Sequence, residues 1–227
     1  MSLIAMPDKV EIFRRMSGPY NLDTYFLVCR QTGESVIIDP GDDALAVIDF
    51  IEKKKITPTK LLHTHGHADQ FFSTEVFKKT HNIPSCLHAQ DNLFFKDPGV
   101  REETRRLVGL PPPYPADITL VHEDRIFFGK ERLSVIHTPG HTPGSVCFLW
   151  KNHLFTGDAL FAGEAGRTDL PGGNLAQLIA SIRDRIMVLD KTTIIHPGHH
   201  HAGSSTQSTL KKEIRENIYI TDFILDT

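Results

Sequence analysis

The sequence predicts an α+β protein: two mixed β-sheets packed face to face with helices on their outer faces, an αββα sandwich. Three observations point there. Short apolar strand-like segments outnumber helical ones. They come in the order strands, a βα pair, more strands, then a second βα pair. And no linker or low-complexity tract divides the 227 residues, so 1–227 read as a single domain, with 40% hydrophobic residues for its core and 23% charged.

The elements follow in order. Tyr25–Cys29 and Ser35–Asp39 read as strands joined by the turn Gln31-Thr32-Gly33. Asp42 or Asp43 caps a helix to about Lys55, with Leu45, Ile48 and Ile51 as its buried stripe and Lys53-Lys54-Lys55 at its negative end. Lys60–Thr64 is a short strand that ends in a histidine-rich loop. Gln70 to Thr80 has helical spacing, and Pro84–His88 is a strand. Residues 89–116, with Pro111-Pro112-Pro113, read as irregular or partly helical, a cover over the site. Strands follow at about 117–121, 125–128, 132–137, 145–150 and 153–156. Asn174 caps a helix whose Leu175, Leu178, Ile179, Ile182 and Ile186 recur every three or four residues. Thr193-Ile194-Ile195 is one more strand, and a last helix runs from about Thr209 to Ile218.

Composition excludes some functions. The net charge is -3 and no long Lys/Arg block exists, so neither nucleic acid nor an anionic membrane is an expected partner. The segment Met1 to Pro7 is unlike a signal peptide, and no apolar run is long enough to span a bilayer, so the expectation is a cytoplasmic protein with a small-molecule substrate. Cys29, Cys86 and Cys147 lie far apart in apolar segments and read as buried reduced thiols.

The thirteen histidines cluster at 63–67, 137–141 and 196–201. Four segments carry metal-ligand residues where a strand gives way to a loop: His65-Gly66-His67-Ala68-Asp69-Gln70, Thr138-Pro139-Gly140-His141, Thr156-Gly157-Asp158 and His196-Pro197-Gly198-His199. Imidazole and carboxylate bind first-row metals. Glycines beside His141, Asp158 and His199 permit sharp turns that aim these side chains at one point.

This pattern resembles the metallo-β-lactamase superfamily, over about residues 21 to 200. The resemblance implies the αββα fold and a centre of one or two metals. By position, His65, His67 and His141 would hold the first metal, Asp158 would bridge, and Asp69, Gln70 and His199 would face the second. Asp39 matches a strand-end Asp that supports the site without binding metal; read alone, it is equally a turn residue. The segments Gly157-Asp158-Ala159-Leu160-Phe161 and Gly166-Arg167-Thr168-Asp169 look like the glyoxalase II and persulfide dioxygenase branches, and the added Leu170-Pro171-Gly172-Gly173 and the Pro-Gly-His segment look more like short glyoxalase-II-like hydrolases. An exported zinc β-lactamase of this kind carries Cys where Asp158 stands.

Two departures shape the expectation. The motif H-x-H-x-D-H ends here in Gln70, and an amide oxygen is a poorer donor to zinc or iron than imidazole. One tight Zn²⁺ and a second weak or absent ion are therefore expected. In addition, 28 residues follow His199, too few for the helical domain that binds glutathione in long glyoxalase II proteins.

The function implied is thioester hydrolysis of the hydroxyacylglutathione hydrolase type, in which zinc lowers the pKa of bound water to about 7 and the resulting hydroxide attacks the carbonyl. Asp69 would orient that water and accept its proton, with Asp158 as the other catalytic carboxylate. Arg167 would hold a substrate carboxylate or pin its own loop through Asp169. The first alternative is a persulfide dioxygenase with one Fe²⁺ on His65, His141 and Asp158. The second is a non-catalytic metal-binding protein with a degenerate site. His63, His196, His200 and His201 exceed the motif and read as supporting or surface residues.

Overall fold

Strand β3 (Leu22–Cys29) is buried along its whole length, as happens only when both faces of a sheet are covered. Its alternate residues enter different cores. Tyr25, Leu27 and Cys29 point into the space between two sheets, and Phe26 and Val28 pack with helices on the outer side. The computed structural model describes residues 1–6, 9–18, 20–41, 43–109, 115–200 and 205–225.

The first sheet holds β1 (Ser2–Ala5), β2 (Val10–Ser17), β3, β4 (Glu34–Ile38), β5 (Thr57–Leu62), β6 (Ser85–His88) and β7 (Ile118–Leu120), in chain order. Pairing is antiparallel from β1 to β4 and parallel from β4 to β7. The second sheet is built from β8 (Arg125–Phe128), β9 (Glu131–His137), β10 (Val146–Trp150), β11 (His153–Gly157), β12 (Ile194–Pro197) and β13 (Ser208–Thr209), each beside the next. Only β11 and β12 run parallel there. Ile38, Leu62, Phe128, Val135, Phe148 and Phe155 fill the space between the sheets.

Helix α1 (Ala44–Lys54) and α2 (Thr74–His81) cover the first sheet through Val47, Ile51 and Phe77. Between β6 and β7 come α3 (Ala89–Phe94) and α4 (Pro98–Val108). Helix α5 (Leu175–Ser181) and the π-turn Ile182–Ile186 cover the second sheet through Leu178, Ile182 and Ile186. The chain closes with α6 (Leu210–Glu216), α7 (Ile218–Ile220) and a further π-turn. This is the αββα sandwich that the sequence predicts. Among the described residues no helix is long and apolar enough to cross a membrane.

Several local expectations need correction. Strands β1 and β2 were not expected, because their charged residues mask the alternation of Val10, Ile12 and the neighbouring apolar positions. Leu45 is 78% exposed. Asp43 caps α1 through the Ala46 amide, and this start turns Val47 and Ile51 inward instead. The helix expected over Gln70 to Thr80 is two pieces, a 3-10 turn at Ala68–Phe71 followed by α2. None of the described residues of 89–116 lines the cavity over the site, where a cover was expected. Asp91 and Phe95 of this segment touch the loops from the side, and Pro111-Pro112-Pro113, like Asp42 and His201, lie outside the described residues. The three cysteines are free and buried.

Candidate metal centre

The histidine loop starts where β5 runs out. Asp39, at the end of the neighbouring β4, takes the left-handed conformation (φ 50°) and turns its carboxylate toward that loop. It accepts the Thr64 amide and the Thr64 hydroxyl, both at 2.8 Å. Burial pushes Asp39 up to about 8, against the pull of those Thr64 bonds. Asp39 is thus both a turn residue and a support of the site.

Three imidazoles converge. His67 Nδ1 lies 3.0 Å from His141 Nε2, which lies 3.3 Å from His65 Nε2. All three rings are buried, and desolvation holds the pKa of His67 at about 3 and that of His65 well below its ordinary value. Neutral imidazole is the form that binds metal. Bonds behind the rings fix which nitrogen faces the centre. His141 Nδ1 donates to the Arg167 carbonyl (2.7 Å), which leaves the Nε2 lone pair free. His65 Nδ1 donates to Thr64 Oγ1 (3.2 Å), whose own proton goes to Asp39. His67 Nε2 has no partner among the described residues. Oriented, unprotonated nitrogens meeting at one point fit a metal ion, and His65, His67 and His141 could hold one.

The other side of the centre is richer in carboxylate. Asp158 Oδ2 is 3.5 Å from His141 Nε2, and Asp158 Oδ1 is 3.7 Å from His199 Nε2. Asp69 Oδ2 is 3.2 Å from the same His199 nitrogen. His199 Nδ1 donates to the Tyr20 carbonyl at 2.9 Å. Burial lowers the pKa of His199, but Asp158 and Asp69 outweigh it and lift it to about 10. Burial raises Asp69, and His199 more than reverses this, leaving the carboxyl below its usual value. Gln70 is fully buried; its amide nitrogen donates to Asp39 (3.2 and 3.3 Å) and its oxygen accepts from His199 Nε2 (3.2 Å). All six expected ligands therefore meet at one place, with Gln70 beside them.

Two glycines make this packing work. Gly157 (φ 49°) lies so near Thr64 that a Cβ would come within 2.4 Å of Thr64 Oγ1. A Cβ on Gly198 would stand 2.7 Å from Asp158 Oδ1. Either substitution would displace a residue of the centre.

Some residues had no signal in the sequence. Asp91 of α3 is fully buried and binds both metal-loop backbones: the Gly66 amide donates to it at 2.8 Å, the Gly144 amide at 2.5 Å and the Thr142 hydroxyl at 2.6 Å. Burial lifts its pKa to about 6, opposed by these bonds. Its partners are 25 to 53 residues away in sequence, so no local spacing marks it. Asp23, also buried, accepts from Arg14 and from His200 Nδ1, each at 3.1 Å. His63 stacks on Phe71 (3.7 Å between centroids), and His196 pairs with His153 (2.9 Å) inside the sandwich; neither reaches the centre. Arg167 pairs with Asp169 through two 2.7 Å bonds at the surface.

The centre forms the floor of a cavity of about 500 Å³, walled by Tyr20, Phe161, Leu170, Tyr219 and the stem of Arg167. Residues 18–199 match the model of the metallo-beta-lactamase superfamily. The chain belongs to this superfamily. Superfamily relatives include an uncharacterized protein of Mycobacterium tuberculosis, 36% identical over 90% of this chain and 95% of its own length. A probable metallo-hydrolase of Bacillus subtilis is 32% identical (82% and 89%). A hydroxyacylglutathione hydrolase of Haemophilus influenzae is 34% identical (82% and 87%). Among solved superfamily structures, the BLEG-1 B3 metallo-beta-lactamase superposes with TM-score 0.82 at 35% identity, covering 92% of this chain and 99% of its own. TTHA1623 in a di-iron-bound form gives 0.76 at 31% (90% and 98%). ETHE1 from Myxococcus xanthus gives 0.77 at 25% (91% and 82%).

Proposed function

We propose that this metallo-hydrolase superfamily member cleaves a thioester, as its hydroxyacylglutathione hydrolase relative is named for doing. The observation that carries the reading is the convergence of three imidazoles and two carboxylates on the floor of a mostly apolar cavity. His65, His67, His141 and Asp158 would hold the first ion, which we take to be zinc. Asp69, Asp158 and His199 would face a weaker second one. A bound divalent ion supplies Lewis acidity, activating water near neutral pH and polarising a carbonyl.

The remaining work falls to the chain itself. Asp69, kept ionised by His199, can accept a proton at Oδ2 and orient the water that loses it. The Arg167 carbonyl and Thr64 hold the imidazoles in their tautomers. Phe161, Leu170 and Tyr219 give the acyl chain an apolar wall and thin the water around it. A thiolate leaving group, with a pKa near 8.5, departs without a dedicated acid.

The iron dioxygenase reading needs two histidines and one carboxylate with open positions. His67 closing on the same point as His65 and His141 favours the hydrolytic centre instead. The test is an assay of the metal-loaded protein on S-lactoyl-thiol and persulfide substrates in an oxygen electrode cell, with a cephalosporin as a further substrate. Thioester cleavage without oxygen uptake is expected. Oxygen uptake stoichiometric with persulfide loss would replace this reading by the dioxygenase, and a metal-loaded protein inert to all substrates would leave a binding protein.

A further inference from the structure

A second recess, of about 450 Å³, opens at the other end of the sandwich. Strand β9 runs from it to the metal loop, and β11 runs from it to Asp158. With seven residues in β9, the two sites stand about 20 Å apart. Lys9, Lys130, Arg132 and Lys151 line this recess. They come from four separate places: the start of β2, the β8–β9 turn, β9 and the β10–β11 turn.

None of the four forms an ion pair among the described residues, whereas six arginines elsewhere in the fold do. Two carboxylates here, Glu131 in the lining itself and Glu34 beside the β8–β9 turn, are engaged by uncharged donors. Glu131 accepts from Trp150 Nε1 at 3.0 Å, and Glu34 accepts from the Gly129 amide at 2.9 Å. The second of these bonds also fixes the turn that presents Lys130. Lys151 is placed as well, with its ammonium 4.8 Å from the Trp150 ring centroid. A fifth cation, Lys60, is tied to the Phe127 carbonyl (3.3 Å). The Phe127 ring lines the recess and is 58% exposed. In a chain of net charge -3, these cations are gathered around one concavity and left unpaired. A recess lined by four cations and one carboxylate, Glu131, already engaged by Trp150, concentrates anions.

We propose that this recess binds an oligophosphate group, carried by inorganic triphosphate or by a nucleotide whose base rests on Phe127. Cations on four segments suit several linked phosphates better than one isolated anion. The site is independent of the thioester reading and of the metal centre.

Two titrations by calorimetry at about 50 mM salt test it, one with sodium triphosphate and one with ATP, against the wild-type chain and the double variant K130E/R132E. Wild type should show saturable one-to-one binding with Kd below about 1 mM. The double variant should keep its Tm and bind at least about tenfold more weakly, since each reversal removes an attraction and adds a repulsion. Its intact metal centre controls for phosphate that merely chelates the metal. F127A assigns the source: weakened ATP binding with unchanged triphosphate binding identifies a nucleotide, and no change in either identifies an inorganic oligophosphate. Equal binding by wild type and K130E/R132E would overturn the proposal. So would the absence of saturation up to about 5 mM, or retention on heparin or DNA with no response to either small ligand.

Discussion

The two halves of the metal centre are built differently. On one side His65, His67 and His141 bring three ring nitrogens together, and two of the rings are held from behind, by Thr64 and by the Arg167 carbonyl. On the other side, Asp69 and Asp158 face a single imidazole, His199, and Gln70 stands where the motif expects a second. Yet Gln70 is anchored at both ends of its amide. Its amide nitrogen donates backward to Asp39 and its oxygen faces forward to His199. The comparison teaches that orientation and donor strength are separate properties. The fold preserves the first at position 70 while the side chain weakens the second.

The largest expected effect breaks the first half. Replacing His141 by Ala removes one of three convergent nitrogens and unties the Arg167 loop. It should abolish tight metal binding, and plasma emission analysis of protein purified without added metal should find well under half an ion per chain. Full retention would mean that the three imidazoles are not the first site.

Asp91 comes next, because it bonds the backbones around that same half. Asp91→Asn keeps the size and one acceptor oxygen but cannot satisfy both amides and the Thr142 hydroxyl. It should weaken metal binding about 10–100-fold in chelator competition. An unchanged affinity would show the two loops to be held well enough without it.

Gln70→His sharpens the comparison from the other side. It should raise the tightly bound metal from about one to about two per chain and increase hydrolytic turnover, because imidazole replaces a weak oxygen donor. If the wild-type chain already holds two ions with equal affinity, the distinction drawn between the halves is wrong.

Substrate choice should be less sensitive. Apart from imidazoles, Arg167 is the one cation lining the cavity among the described residues, and Asp169 engages it. Glutathione's two carboxylates therefore find little to bind. The kcat/KM for a glutathione thioester should exceed that for a truncated thiol thioester by less than about a hundredfold, equivalent to about 2.7 kcal/mol. Arg167→Ala should change the ratio little. Because that pair is exposed, its loss should also leave the urea midpoint nearly unchanged.

The site was more legible in the sequence than the scaffold around it. Ligand residues betray themselves by type and by the glycines beside them: His65, His67, His141, Asp158 and His199 each follow a strand within a few residues. The strands of the second sheet were visible too, since their apolar runs end at clear turns. What stayed hidden depends on distant partners. Asp91 looks like any polar helix residue until the chain folds and brings Gly66 and Gly144 to it. Asp23 and Arg14 pair across neighbouring strands whose charged residues obscured β2 itself. Leu45 misled because the phase of α1 is set by its cap at Asp43 and by the sheet beneath, not by the count of apolar residues alone.

The expected ligands are also distributed between the layers. His65, His67 and Asp69 follow β5 of the first sheet, and His141, Asp158 and His199 follow β9, β11 and β12 of the second. Any ion they hold is therefore a clasp across the sandwich, closing one rim as a cross-link would, over a chain separation of 76 residues between His65 and His141. The opposite rim, where the basic recess opens, is joined by lighter ties, the Gly129 amide to Glu34 and Lys60 to the Phe127 carbonyl. A chelator should then do more than silence the protein. It should let the two sheets part from one end, with amide exchange quickening first in β12 and in the loop after β5 and last in the strands at the buried middle.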